Sequence, residues 1–151
     1  MTTEEFIIKV ENTELSEKGK ANNNLTGKEE LSIETQKELL TNENRWVRSN
    51  LAGNINTSND ILGILSEDEE RWVRIEVAGN KNTIPETLHI LSEDEDEGVR
   101  FEIAINPNTS ITTLQIIANN ENEDNNVRTR ANNNLNDRQE QEETVSKSPT
   151  K

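Results

Sequence analysis

Four arginines stand in one column of this sequence: Arg48, Arg74, Arg100 and Arg128, at steps of 26, 26 and 28 residues. A guanidinium is a planar fork that binds carboxylate or carbonyl oxygens in pairs. Each arginine lies six residues after an Asx residue, at Asn42, Asp68, Asp94 and Asn122. Because base and acid recur together, the spacing predicts an intramolecular ladder; the other use would be a stripe that reads a ligand. Asn54, Asn80 and Asn106 form a second column, and Asn56, Asn82 and Asn108 a third. Amides like these could hold a peptide backbone, but short amides in turns more often satisfy nearby backbone groups, which is the expectation here. Trp46 and Trp72 share a column in adjacent units, and Ile75 and Phe101 form another three residues further along the same helix face. An aromatic and apolar stripe with acidic surroundings suits protein binding, so these four are the candidate partner-binding residues. The competing use is packing between helices.

Other reactive chemistry is sparse. The acidic runs Ser66–Glu70 and Ser92–Glu97 lack the EF-hand order, since Gly98 comes one position early and no acid follows at the required distance. They are expected to cap helices. His89 is the single histidine, and there is no cysteine. Disulfides, thiolate nucleophiles and Cys-ligated metals are thereby excluded. No Ser/His/Asp set, nucleophile elbow or phosphate-binding glycine loop is recognisable. The expectation is therefore no catalytic residue, no cofactor and no metal.

The columns must be carried by repeating elements. Leu39, Leu65, Leu91 and Ile117 keep the 26-residue step, as do Ala52, Ala78 and Ala104. Internal repetition of this length predicts a stack of helix pairs. The first helix of a unit is expected to begin near Thr57, Thr83 and Thr109, where Thr57 with Asp60 and Thr83 with Glu86 have capping-box spacing. Leu62 with Leu65, Leu88 with Leu91, and Leu114 with Ile117 give it one buried face. The second helix is expected to start after the Asx residue. Val47 with Leu51, Val73 with Val77, and Val99 with Ile103 form its stripe. It should end at Gly53-Asn54 and Gly79-Asn80, whose types tolerate the left-handed conformation, and before Pro107.

Three regions follow. Residues 31–137 are the repeat domain, with about four units. Residues 1–30 hold an N-terminal segment in which Lys20–Leu25 resembles a decayed half-repeat. There Phe6, Ile7 and Val10 fit a covering amphipathic helix, although the run Phe6–Val10 also suits a strand. Residues 138–151 are expected to be a disordered tail, because Leu, Ile, Val and Phe fall to 3 of the 34 residues from Ala118 onward, against 24 of the 79 from Leu39 to Ile117.

The combined pattern is Val-Arg, two variable residues, an apolar residue and Ala, one residue, Asn, then Asn-Thr, leucines and an acidic turn. It resembles the bacterial leucine-rich-repeat variant family and is similar to HEAT-type repeats, with Val99–Asn108 the clearest stretch. The resemblance covers roughly Leu31 to Asn136. It implies an all-α fold, a short right-handed α-solenoid of helix pairs, serving as a scaffold for macromolecular contact. The family's Cys-ligated iron–sulfur segment has no counterpart here.

Charge narrows the partner. The chain carries 30 acids against 16 bases, a net −14, and residues 31–137 alone carry 20 against 9. Such a surface repels phosphate backbones and anionic lipid heads, so neither nucleic acid nor membrane is an expected partner. The absence of thiols, an acidic N-terminus and no membrane-length apolar run fit a cytoplasmic protein. The leading expectation is a non-catalytic protein-interaction scaffold whose partner has a basic surface. The alternative is an acidic inhibitor or nucleic-acid mimic acting on a nucleic-acid-binding protein. A base-excising or lyase-type repeat enzyme has the wrong net sign.

Overall fold

The computed structural model describes residues 1–16 and 28–146. All the regular elements among them are α-helices: α1 (Thr3–Ser16), α2 (Ile33–Leu40), α3 (Arg45–Gly53), α4 (Asn59–Leu65), α5 (Arg71–Gly79), α6 (Pro85–Leu91), α7 (Glu97–Ile105), α8 (Ile111–Asn119) and α9 (Asn125–Ser146). The fold is all-α. The half-repeat expected at Lys20–Leu25 lies outside the described residues.

Helices α2 to α8 have 7–9 residues each, too few to persist alone in water. Packing stabilises them. Helices α3, α5, α7 and α9 pack on one another in chain order, and α2, α4, α6 and α8 flank that row, each against the helix that follows it. The core runs through the stack as Val47, Leu51, Leu62, Leu65, Val73, Val77, Leu88, Val99, Ile103 and Leu114, all essentially without solvent contact. Each such side chain contributes about 1.5–3 kcal/mol relative to exposure. In the first unit Gln36 occupies the position that Leu62 and Leu88 hold later. It is buried and fully bonded: its Nε2 donates to Leu31 O (3.1 Å) and Asn56 O (3.2 Å), and its Oε1 accepts from Ser58 N (2.9 Å). Phe6 and Val10 of α1 are buried against α2 and α3, so this end is covered by a helix and not a strand.

Several boundaries differ from the sequence expectation. Asn42, Asp68 and Asp94 do not cap α3, α5 and α7. Their Oδ1 atoms accept from the N–H groups of Asn44, Glu70 and Asp96, closing a turn, and those three residues are the N-caps. Thr57, Thr83 and Thr109 form no capping box. Their buried hydroxyls donate backwards to Leu51 O, Val77 O and Ile103 O at 2.5–2.7 Å, a second donor to carbonyls that also accept the N–H of Asn54, Asn80 and Asn106 at the helix end. The next helix starts from Ser58, Ile84 or Ser110.

The ends of α3 and α5 are not left-handed either. Asn54 and Asn80 are extended, with φ of −74° and −72°. Gly53 and Gly79 serve another purpose, which is room. A Cβ at Gly53 would lie 2.7 Å from Glu76 Oε2, and one at Gly79 3.2 Å from Glu102 Oε2. Each glycine lets a carboxylate of the following unit lie across the helix end. Burial there pushes the Glu102 carboxyl above its ordinary value.

Helix α9 continues to Ser146, past the position where disorder was expected. Arg138 anchors it. Its Nη1 donates to Thr109 O (2.7 Å), its Nη2 to Pro107 O (2.8 Å), and its Nε to Asn134 Oδ1 (2.9 Å). Low hydrophobicity predicted a free tail, but one guanidinium holding backbone carbonyls compensates for missing apolar contact. Arg138→Ala is expected to lower stability by about 1–2 kcal/mol. Loss of amide-exchange protection should be greatest beyond residue 138; uniform protection across α9 in the variant would contradict this anchor.

Candidate protein-interaction surface

The arginine column is consumed inside the molecule. Arg48 grips Asp68 with Nε and Nη2 (2.7 and 3.0 Å), Arg74 grips Asp94 (2.7 and 3.1 Å), and Arg100 grips Glu123 (2.7 and 3.0 Å). The remaining Nη1 of each donates to two carbonyls of its own preceding turn, such as Asp68 O and Glu69 O for Arg74. Each fork therefore joins two units. Hydrogen bonds to these carboxylates hold the three guanidiniums above their ordinary pKa, against the opposing effect of burial. Burial alone would raise the Glu123 carboxyl. The hydrogen bonds from Arg100 and from the Asp124 N–H, with the Arg100 charge, outweigh it and hold Glu123 below its ordinary value. Arg128 differs: its Nε reaches Ala118 O at 3.3 Å.

The Asn columns are also internal. Nδ2 of Asn80 donates to Ala52 O (2.6 Å) and Asn54 O (3.0 Å), and that of Asn106 to Ala78 O (2.6 Å) and Asn80 O (3.1 Å). Asn54 reaches Glu29 O at 2.9 Å, and Asn134 keeps the pattern at Ala104 O (3.0 Å) despite its longer step. Among the described residues no buried side-chain nitrogen or oxygen lacks a partner.

The four aromatic and apolar candidates divide. Trp46, Ile75 and Phe101 are half-buried against the core, whereas Trp72 is 41% exposed. The Arg45 guanidinium lies 5.0 Å from the Trp46 ring, Arg71 lies 4.6 Å from Trp72, and Arg130 of α9 lies 5.6 Å from Phe101. Arg45 also pairs with Glu70 (3.5 Å) and Arg71 with Asp96 (3.3 Å) of the next unit. Such cation–π contacts at exposed sites contribute about 0.5–1 kcal/mol each, which orients the rings without burying them. The column has Gly98 in the third unit for a steric reason. A Cβ there would meet Ile75 Cδ1 at 3.2 Å and Asp96 Oδ1 at 2.9 Å, so both would have to give way to any side chain at this position. The result is a shallow depression beside Trp72, edged by Arg45, Arg71 and Arg74 and by Glu69, Glu70, Glu95 and Asp96.

Comparison of the chain with family models, curated proteins and solved structures returns no match. The surface must therefore be judged by its own chemistry. Among the described residues no group of His, Cys, Asp and Glu is arranged to hold a metal ion, and no helix is long and apolar enough to cross a membrane. His89 is exposed, with Nδ1 3.0 Å from Thr113 Oγ1.

Sequence reasoning missed three features. Glu123 supplies the carboxylate of the last rung, beside the Asx residue Asn122 that begins the last unit's second helix in the spacing; the 28-residue step obscured it. Arg138 falls outside every column. Ile64, Ile90 and Ile116 form an exposed column whose 26-residue spacing was visible, but regular isoleucines are usually read as core.

Proposed function

We propose that this chain is a non-catalytic protein-interaction scaffold in the cytoplasm, a short right-handed α-solenoid of helix pairs like those of leucine-rich-repeat variant and HEAT proteins. Its partner is a protein with a basic surface. The observation that carries this reading is Trp72, a large aromatic left 41% exposed, ring-stacked by Arg71 and bordered by four carboxylates and two further arginines. An oriented, half-exposed indole offers apolar area at little entropic cost. Glu70 and Asp96 are paired with Arg45 and Arg71, and the exposed Glu69 and Glu95, on a chain of net charge −14, favour Lys or Arg on the approaching surface. The recurring polar columns are engaged in holding neighbouring units together, which leaves contact, and not turnover, as the use of the exposed remainder.

The test is affinity capture from the native host with the wild-type chain and with Trp46→Ala/Trp72→Ala. A specific partner should be retained by the wild type and weakened by about tenfold or more in the variant, the loss typical of a hot-spot aromatic. Equal capture by both proteins would sink the aromatic face as the binding site. Capture that ignores the tryptophans yet falls steeply with salt would move the reading to an acidic nucleic-acid mimic.

A further inference from the structure

The three most exposed large hydrophobic side chains among the described residues are Ile90 (69%), Ile64 (56%) and Ile116 (50%). They lie at one position of α4, α6 and α8, on helices away from the tryptophans. Packing does not require them. Leu62, Leu65, Leu88, Leu91, Leu114 and Ile117 already fill the inner face of the same helices. An exposed β-branched residue also adds nothing to a short helix, where a straight polar chain would be preferred. Three such residues in register form an apolar ridge across the outside of the stack. At the N-terminal end Glu38 takes the same position and accepts from Thr3 Oγ1 of α1, so the ridge stops there.

Its surroundings carry one sign. Asp60 and Glu86 lie four residues before Ile64 and Ile90, on the same helix face. Glu67 and Glu93 follow three residues after them, also exposed. Helices α4, α6 and α8 contain no lysine or arginine. A second copy of this chain would bring carboxylates against carboxylates across the ridge, on a protein of net charge −14, so self-association is disfavoured.

We propose that Ile64, Ile90 and Ile116 form a docking ridge for a basic amphipathic helix of a partner protein, separate from the tryptophan face. Helices α5 and α7 pack directly and carry α4 and α6 beside them, and His89 Nδ1 of α6 lies 3.0 Å from Thr113 Oγ1 of α8, so the ridge steps by about one helix spacing, about 8–10 Å. Seven residues of helix rise about 10.5 Å, so a helix with apolar side chains at every seventh position matches the three isoleucines. Lys or Arg flanking those positions would meet Asp60, Glu67, Glu86 and Glu93. The recognition is that of an amphipathic helix laid on an apolar surface, with charge setting the choice of partner.

The probe is a labelled synthetic helix of about 21 residues, with leucine at every seventh position and lysines on both flanks of that stripe. A scrambled peptide of identical composition is the reference. Anisotropy should give the ordered peptide at least about tenfold tighter binding than the scrambled one, and Ile64→Ser/Ile90→Ser/Ile116→Ser should remove that advantage. Ile90→Ser alone changes the most exposed of the three, keeps the fold, and should still weaken binding. Amide-shift perturbations should fall on α4, α6 and α8. Trp46→Ala/Trp72→Ala should leave this binding unchanged, so the two surfaces stand or fall separately. Equal binding of both peptides, unchanged affinity in the serine variants, or perturbations centred on α3 and α5 would each overturn the proposal. So would a wild-type dimer that the triple variant abolishes, because the occupant would then be a second copy.

Discussion

Arg74→Met is expected to lower the unfolding free energy by about 3 kcal/mol, the lower end of the loss for breaking a buried ion pair. The two side chains are 12% and 7% exposed, so water cannot easily replace the lost partner. Asp94 would keep only its bond from the Asp96 N–H, and the carbonyls of Asp68 and Glu69 would lose their shared donor. Methionine retains the length of the chain but none of the fork. Arg74→Lys should recover part of the loss, because a single ammonium cannot satisfy Asp94 and two carbonyls in the same geometry. Adding Asp94→Asn to Arg74→Met should cost less than the sum of the singles, with a coupling of about 2 kcal/mol. Urea denaturation of the four proteins measures the cycle. Additivity within about 0.5 kcal/mol would mean that the rung contributes nothing as a pair.

The second large effect is expected at Asn106. Its side chain is 2% exposed and makes bonds in two directions. Nδ2 donates to Ala78 O and Asn80 O, in the previous unit, and Oδ1 accepts from the Asn108 N–H at 2.8 Å. Asn106→Ala leaves Ala78 O and the Asn108 N–H without these partners, while Asn80 O keeps the Thr83 N–H at 3.1 Å; at about 1 kcal/mol or more for each orphaned group the loss is about 2 kcal/mol. Asn106→Asp should be at least as harmful at neutral pH, because a carboxylate would face two carbonyl oxygens. Its pKa in the folded state would then be raised above the unfolded value. Stability of that variant should fall as pH rises through the raised pKa, and the deficit should shrink on acidification. Asn54 is the internal comparison. Among the described residues Glu29 O is its one Nδ2 acceptor, so Asn54→Ala should cost less than Asn106→Ala. Thermal melts at two pH values separate these outcomes, and equal losses at both positions would show that bridging to the preceding unit is not what matters.

The buried columns are legible in the spacing of the residues. A 26-residue step carrying Leu62/Leu65 and Val73/Val77 at helical spacing leaves one arrangement that hides every apolar face, and these residues are buried. That Arg and Asn columns would serve neighbouring units is also legible, because each recurs with its acid or turn. Exact boundaries are not. An Asx side chain bonds to the N–H two residues on whether it caps a helix or closes a turn before one, so Asp68 and Asp94 look the same in both roles. Thr57 and Thr83 satisfy a capping-box pattern on paper, yet their hydroxyls found closer acceptors in the helix behind them.

The period, the helical class and the buried faces belong to the amino-acid sequence, because they follow from spacing alone. Tertiary packing settled which surface chemistry remains available. What a column position can present depends on side chains more than 20 residues away: Ile75 takes space beside Gly98, and Arg130 lies over the Phe101 ring. The last arginine rung closed on Glu123, since Asn120 and Asn122, 26 and 28 residues after Asp94, carry no carboxylate. Ile64, Ile90 and Ile116 look like core residues in the sequence and are surface residues in the fold, because the leucines beside them had already filled the interior. Local spacing says which residues share a face; only the packed neighbours say whether that face is covered.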